Sequence, residues 1–359
     1  MNILISNLFS DKLSNQWHQN VYAELEHRGH NFLLLTDKRS NLYKNSLHRN
    51  NLMGLKNIFL FNPILLIKIY NILKKNSIDV VINFSKNDLY LTGISAFFKR
   101  IPNIFNYVCY NSLGTINNTD KILISALTNH FIFNSKFSYH NINSLIKIQK
   151  NKVSIIYNAF DCNKLDNDKI NLIRRSWGFQ EDNTIIGIKC KLTKENSVQD
   201  LIEVFKQLLK NHKNIRLIIT GKGKYKQKLI DLVYTYSIND YVYFAHSSKK
   251  TLLNIYAYDI CVFTSKTEIL SNVIFEYLTT KKPIICTKTQ CHQEILQDTY
   301  NSLLYNSDNV SDLYNKISHI LINKSTADYI ANNAFKTSQQ YNFENMAANI
   351  EKMLTLIKL

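Results

Sequence analysis

Glycine is scarce, with 8 residues in 359, where an average chain of this length holds roughly 25. That shortage limits how many glycine-rich phosphate loops the chain can contain. The six cysteines (Cys109, Cys162, Cys190, Cys261, Cys286, Cys291) form no C-x-x-C pair and keep no regular spacing, which argues against a disulfide scaffold or a zinc ribbon. Several sit inside apolar runs, the place of buried reduced thiols, and a reducing cytoplasm is expected. The longest apolar stretch, "NIFLFNPILLIKIYNIL", is interrupted by Asn62, Pro63, Lys68 and Asn71 and is too broken to span a bilayer. The N-terminus "MNILISNLFSDK" enters a strand-like run with no basic leader or cleavage site, so a soluble or peripheral protein is expected. No repeat of solenoid period is visible, and no low-complexity segment beyond a Lys/Asn bias. The ten histidines are scattered and Cys291-His292 is an isolated pair, so no metal centre is expected. Nothing marks a serine or cysteine hydrolase. The sequons at Asn117 and Asn323 carry no weight in a cytoplasmic protein.

What the chain does have is positive charge. Lysine and arginine outnumber the acids 44 to 27, giving +17, and the surplus divides as ten before residue 167 and seven after it. Such a surface attracts polyanions: nucleotide phosphates, nucleic acid or an anionic membrane face. The charge is spread and not gathered into one stripe, and no nucleic-acid-binding module is recognisable, so nucleic acid is not expected as a partner.

Length alone predicts two domains. Short apolar runs alternate with helix-period segments throughout: "NILIS" (2–6), "NFLLLT" (31–36), "DVVINFS" (79–85), "IPNIFNYV" (101–108), "HFIFNS" (130–135) and "KVSIIYN" (152–158). After the polar stretch "DCNKLDNDKINLIRRSWGFQEDN" a second series begins: "TIIGIKC" (184–190), "IRLIIT" (215–220), "YVYFA" (241–245), "DICVFTS" (259–265), "KPIICT" (282–287) and "SLLYN" (302–306). Two series of βα units predict two Rossmann-like domains with parallel sheets, facing each other across a ligand cleft. The expected boundaries are 1–160, 161–338, and a last amphipathic helix within 339–359 that crosses back to the first domain.

The chemistry concentrates in "TEILSNVIFE", residues 267–276. Glu268 follows a buried strand at the carboxyl edge, where open α/β sheets bind ligands. "LSNV" then opens a helix, whose amides at Ser271, Asn272 and Val273 can face an anion. Side chains on a helix lean toward its N-terminus, so the Glu276 carboxylate points back at the same ligand. Beside a phosphate it would be repelled, whereas beside a ribose diol it accepts two charge-assisted hydrogen bonds. The alternative is a solvated surface glutamate on an ordinary helix. "IIGIKCKLTKEN" offers Lys189, Lys191 and Lys194 at another strand exit, either as cations for a diphosphate leaving group or as a solvated lysine face. "TGKGKYKQKL" places Gly221 and Gly223 after a strand; without a third glycine it reads as a tight turn that lets a ligand approach the backbone.

As a set, these segments resemble the retaining glycosyltransferases of family 4, which have the GT-B fold. The resemblance is strongest from about 184 to 306. "EILSNVIFE" followed by "YLTTKKPIICT" is similar to the family's E-x7-E motif, "IIYNAFD" (155–161) to its inter-domain hinge, and "CKLTKENSVQDLIEVF" to the segment with a basic phosphate-binding pair. The resemblance implies an enzyme that moves a sugar from a nucleotide-diphosphate-sugar donor to a glycan or lipid-linked glycan, in cell-surface polysaccharide or lipopolysaccharide assembly, with no metal or other cofactor. It further implies that Glu268 holds donor sugar hydroxyls and acts with Lys191 as the catalytic pair. Glu276 would hold the ribose, and Leu270, Ser271, Asn272, Val273, Asn196 and Gly221 would complete the donor site. Three departures stand out. Asn196 replaces the usual lysine of the basic pair, "NLFSDKLSNQWH" lacks the family's glycine-rich loop, and Tyr110 or Asn111 stands where a histidine is usual. They leave a second reading, a non-catalytic GT-B protein that binds glycan or partners another transferase. Finally, the basic and aromatic stretch "KRSNLYKNSLHRNNLMGLKNIFLF" (38–61) reads either as a contact for an anionic membrane face, peripheral on the inner side of the plasma membrane, or as a polar loop running into a core helix.

Overall fold

Most of the apolar runs become strands that are buried on both faces, which accounts for their near-continuous Val, Ile and Leu content. In the computed structural model, which describes residues 1–9, 16–45, 51–56, 58–59, 62–107, 116–161, 167–245 and 254–358, the chain forms two units. One comprises Met1–Ala159 and Phe343–Leu359, the other Phe160–Asn342.

The first unit holds β1 (Asn2–Asn7), β2 (Asn31–Asp37), β3 (Leu52–Leu55), β4 (Val80–Asn83), β5 (Asn103–Tyr107), β6 (His130–Phe133) and β7 (Val153–Ile155) in the order β3-β2-β1-β4-β5-β6-β7. Every pairing is parallel. On one face, Ile3, Ile5, Ile82, Ile104 and Ile132 pack with Met346, Ala347 and Ile350 of the helix Phe343–Lys358. On the other, Leu4, Leu35 and Val81 meet Leu65, Ile69 and Leu73 of the helix Pro63–Lys75. The stretch 38–61 is not simply a loop: β3 lies within it and pairs with β2 from Leu34↔Leu52 to Asp37↔Leu55. An edge strand needs only one hydrogen-bonded neighbour, so four residues, "LMGL", suffice. Gly54 makes room there, since a Cβ would overlap the Tyr43 ring and the Lys38 stem.

The second unit holds β8 (Thr184–Lys189), β9 (Ile215–Thr220), β10 (Val242–Ala245), β11 (Ile260–Phe263), β12 (Ile284–Thr287) and β13 (Leu303–Tyr305), ordered β10-β9-β8-β11-β12-β13 and again parallel. From β8 the chain winds outward to β10, then returns to place β11 on the other side of β8. The crevice at the carboxyl ends of β8 and β11 is therefore the switch point of this sheet, the place where open α/β sheets bind ligands. Both halves are doubly wound parallel sheets, the α/β class expected from the sequence. Among the described residues Cys261, Cys286 and Cys291 are buried and unbridged and Cys190 is half-buried; Cys109 and Cys162 lie outside the described residues. Asn117 and Asn323, the two sequon asparagines, serve as helix N-caps, accepting from the amides of Asp120 and Thr326.

Candidate functional site

A cavity of about 430 Å³ opens at that switch point, within the ~300–1,000 Å³ range of small-ligand sites. Its floor is the strand exits: Lys189, Cys190 and Lys191 after β8, Thr220, Gly221 and Lys222 after β9, and Phe263 ending β11. Ser265, Thr267 and Ile269, with Ser271 and Val273 at the start of the helix Asn272–Leu278, form one wall, and Asn196 lines the cavity too.

The two glycines are there because of backbone crowding. A Cβ on Gly221 would sit 1.9 Å from the Cys190 carbonyl oxygen, and one on Gly223 2.0 Å from that of Leu192. The Leu192 amide donates to the Lys222 carbonyl at 2.9 Å and the Tyr225 amide to the Leu192 carbonyl at 3.1 Å. The neighbour that needs the room is therefore the loop leaving β8, with Gly221 also reaching the cavity wall. The loop after β11 is tied to the same segment. Thr264 Oγ1 donates to the Asn196 carbonyl at 2.5 Å, and the Lys266 amide to the Glu195 carbonyl at 3.1 Å. Lys266 Nζ pairs with Asp200 at 3.1 Å and with Asp308. Asn196 spends its own amide on the Lys191 carbonyl at 2.5 Å, so the residue in the place of a lysine fixes the backbone that carries Lys191.

Among the described residues, three ammonium groups and no carboxylate line the cavity. Lys189 Nζ meets Glu276 Oε2 at 2.5 Å; Lys191 and Lys222 make no ion pair among the described residues. Glu276 is 7% exposed, and burial holds its pKa above the ordinary carboxylate value, with the charge and hydrogen bond of Lys189 opposing the rise. A carboxylate taken out of water needs a cation, and Lys189 supplies one, its own amide being fixed by the Tyr277 hydroxyl at 2.7 Å. The Glu276 carboxylate, expected to face a ligand, thus lies against Lys189. Glu268 is held by backbone donors. Its two oxygens accept from the amides of Gln290 at 3.3 Å and Cys291 at 3.1 Å, satisfying otherwise unpaired donors at the turn after β12. Burial pushes the Cys190 thiol at the cavity floor up to about 12, so it is protonated at neutral pH and no nucleophile.

The remaining expected residues divide. Ser271 caps its helix, Oγ accepting from the Val273 amide at 3.3 Å, so that amide is already engaged. Leu270 is buried and is not part of the cavity lining. Asn272 sits at the first helical position behind Ser271. Lys194 is exposed in the short turn Lys194–Asn196 and does not reach the lining. Lys222, Ser265 and Thr267 were not singled out in the sequence. For Lys222 a signal existed, a cation between two glycines directly after a strand. Tyr110 and Asn111 lie outside the described residues.

Two family models match this chain: "Glycosyl transferases group 1" over residues 169–337 and "Glycosyltransferase Family 4" over residues 19–164. The chain is 28% identical over 221 residues to the uncharacterized glycosyltransferase MJ1607 of Methanocaldococcus jannaschii, covering 59% of this chain and 56% of that one. It is 23% identical over 188 residues to the alpha-monoglucosyldiacylglycerol synthase of Acholeplasma laidlawii, covering 52% and 47%. The chain thus spans about half the length of these curated relatives. Among solved structures, Anabaena Alr3699/HepE in complex with UDP superposes with a TM-score of 0.85 at 18% identity, over 99% of this chain and 100% of that one.

Proposed function

Because the chain belongs to the group 1, family 4 glycosyl transferases and carries their GT-B fold, we propose that it transfers a sugar from a nucleoside-diphosphate sugar to a hydroxyl of a glycan or lipid-linked glycan, with retention at the anomeric carbon. The observation that carries this reading is the cavity at the second sheet's switch point, lined, among the described residues, by Lys189, Lys191 and Lys222 and by no acid. In the reaction the bond from the anomeric carbon to the diphosphate oxygen breaks, the acceptor oxygen takes that carbon and gives up its proton, and negative charge gathers on the leaving diphosphate. Lys191 and Lys222, which make no ion pair among the described residues, can meet that charge in a pocket whose dipoles are fixed beforehand. Lysine, rather than a metal, neutralises the diphosphate in this scheme. Support for a uridine nucleotide comes from the UDP in the Anabaena structure, and for a lipid acceptor from the glucosyldiacylglycerol synthase relative.

Thermal shift against UDP, GDP, ADP and CMP and their sugars tests the reading. A ligand at a hundred times its Kd stabilises by about 2.7 kcal/mol, so the matching base raises Tm while the others do not. Release of free sugar or glycoside from the matching donor, lost on Lys191→Ala/Lys222→Ala, then separates an enzyme from a binding protein. No shift with any nucleotide, and no turnover of any donor, overturns the proposal.

A further inference from the structure

One face of the first sheet is covered by the helices Pro63–Lys75, Ile94–Lys99, Asn118–Leu127 and Lys136–Ile146, which pack inward on Leu4, Val81, Phe105 and Phe133. Their outer side is not finished as a water-facing surface. Ile64 is 78% exposed, Phe98 74% and Ile122 68%, with Ile67, Phe97 and Leu145 exposed beside them. Monomeric surfaces scatter such residues singly, whereas these form one field. Ser95 Oγ bonds the Leu66 carbonyl at 3.1 Å and joins the first two helices. A groove lined by Phe97, Phe98 and Leu127 joins the second to the third, and another lined by Ile122, Ala126 and Leu145 joins the third to the fourth.

The charge on this field has one sign. Lys68 and Lys75 line one groove with Ile64 and Ile67, Arg100 another with Phe97 and Phe98, and Lys121 and Lys147 a third with Ile122 and Leu145. The only acid on the four helices is Asp120, which is buried and bonded to Lys86 at 3.1 Å and to Tyr90 at 2.5 Å. Tall aliphatic and aromatic side chains ringed by lysine and arginine, with no exposed carboxylate, match a surface whose outside is anionic and whose inside is hydrocarbon. A nucleic acid offers the anions but no apolar layer for Ile64, Ile67 and Phe98. None of the described helices is long and apolar enough to cross a membrane, so the contact is peripheral.

We propose that this four-helix face is the docking surface for an anionic lipid bilayer. It moves the membrane contact from the stretch 38–61 to the helices that follow it, and it stands independently of the sugar-transfer reading, because no nucleotide is needed for it. Binding combines insertion of the apolar side chains with about five-fold in partition for each ammonium or guanidinium brought to the surface.

The experiment is co-sedimentation of the full chain, without nucleotide, with vesicles of phosphatidylcholine alone or with 30% phosphatidylglycerol. The expected result is at least ten-fold preference for the anionic vesicles, weakened by 0.5 M salt. Phe97→Ser/Phe98→Ser and Lys99→Glu/Arg100→Glu, all at exposed or half-exposed positions, should each lose ten-fold or more, with circular dichroism and Tm unchanged. The control Lys210→Glu/Lys213→Glu removes the same charge from exposed positions of the second unit and should lose no more than two-fold. Equal binding to both vesicles overturns the proposal. So does a loss in the control equal to that of the face variants, which would mean general attraction to a basic protein. A wild type that ignores vesicles but self-associates until Phe97 and Phe98 are replaced also overturns it, and would assign the face to a second copy of the chain.

Discussion

Replacing Lys189 with methionine leaves Glu276 as a carboxyl group, 7% exposed, with no cation beside it. Removing one partner of a buried ion pair costs about 3–5 kcal/mol, and for a unit the size of Phe160–Asn342 each kcal/mol lowers Tm by roughly 2–4 °C. The expected drop at pH 8 is therefore roughly 6–20 °C. Its pH dependence separates this cause from simple loss of packing. Burial already holds the Glu276 pKa up against the pull of Lys189, so deleting the lysine raises it further. Near pH 4, the ordinary range for such a group, the folded variant keeps the proton and the penalty is smallest. As pH rises, the unfolded chain ionises freely while the folded one holds its proton, so stability is lost progressively up to the folded-state pKa. Differential scanning calorimetry of wild type and variant from pH 4 to 8 should show the gap widening with pH, and Lys189→Met/Glu276→Gln should recover most of it. A drop under 2 °C, or one independent of pH and unrelieved by the second change, refutes the reasoning.

Lys191→Ala and Lys222→Ala each remove an unpaired cation from the cavity; at about 1.5–3 kcal/mol per charged hydrogen bond, UDP affinity by calorimetry should fall about ten- to hundred-fold. Gly221→Ala pushes a methyl to within 1.9 Å of the Cys190 carbonyl, so both nucleotide binding and Tm should fall, by about 1–3 kcal/mol in chemical denaturation for an overpacked site. Asp88 is fully buried, its carboxylate accepting from Leu8 and Phe9 amides at 2.7 and 3.3 Å and from the Ser85 and Ser6 hydroxyls at 2.6 and 3.3 Å; burial pushes its pKa up to about 6 despite those bonds. Its folded form therefore favours the proton, and about 3 kcal/mol of stability present below pH 4 is lost as pH rises through 6. Asp88→Asn should flatten that part of the stability curve, as read by urea denaturation at pH 4, 5, 6 and 7.

The sheets were legible in the sequence because a strand buried on both faces has to be a continuous apolar run, and "TIIGIK", "IRLIIT" and "IICT" can be little else. β3 was not, because an edge strand in a lysine- and asparagine-rich stretch gains its identity from β2, its neighbour in space. The same limit governs the site. That Lys189, Lys191 and Glu276 stand at strand exits or a helix start follows from local pattern. That Lys189 and Glu276 meet follows only from β8 and β11 being adjacent, since 87 residues separate the two. Gly221 and Gly223 signalled a close approach, but the pattern could not say that the approaching group is the backbone of the loop after β8. Glu268 was placed at the correct edge, whereas its two backbone donors come from a turn more than twenty residues downstream.

The helix Phe343–Lys358 belongs to the core of a unit whose other part ends at Ala159. During translation, then, the half that is started first is the half that is completed last. Until residue 343 and those after it have left the ribosome, Ile3, Ile5, Ile82 and Ile104 lack the cover that Met346, Ala347 and Ile350 give them, whereas no residue beyond Asn342 belongs to the second unit. A chain truncated after Asn342 should therefore hold a folded second half and an open, sticky first one, and bind a dye for exposed apolar surface more strongly than the full chain.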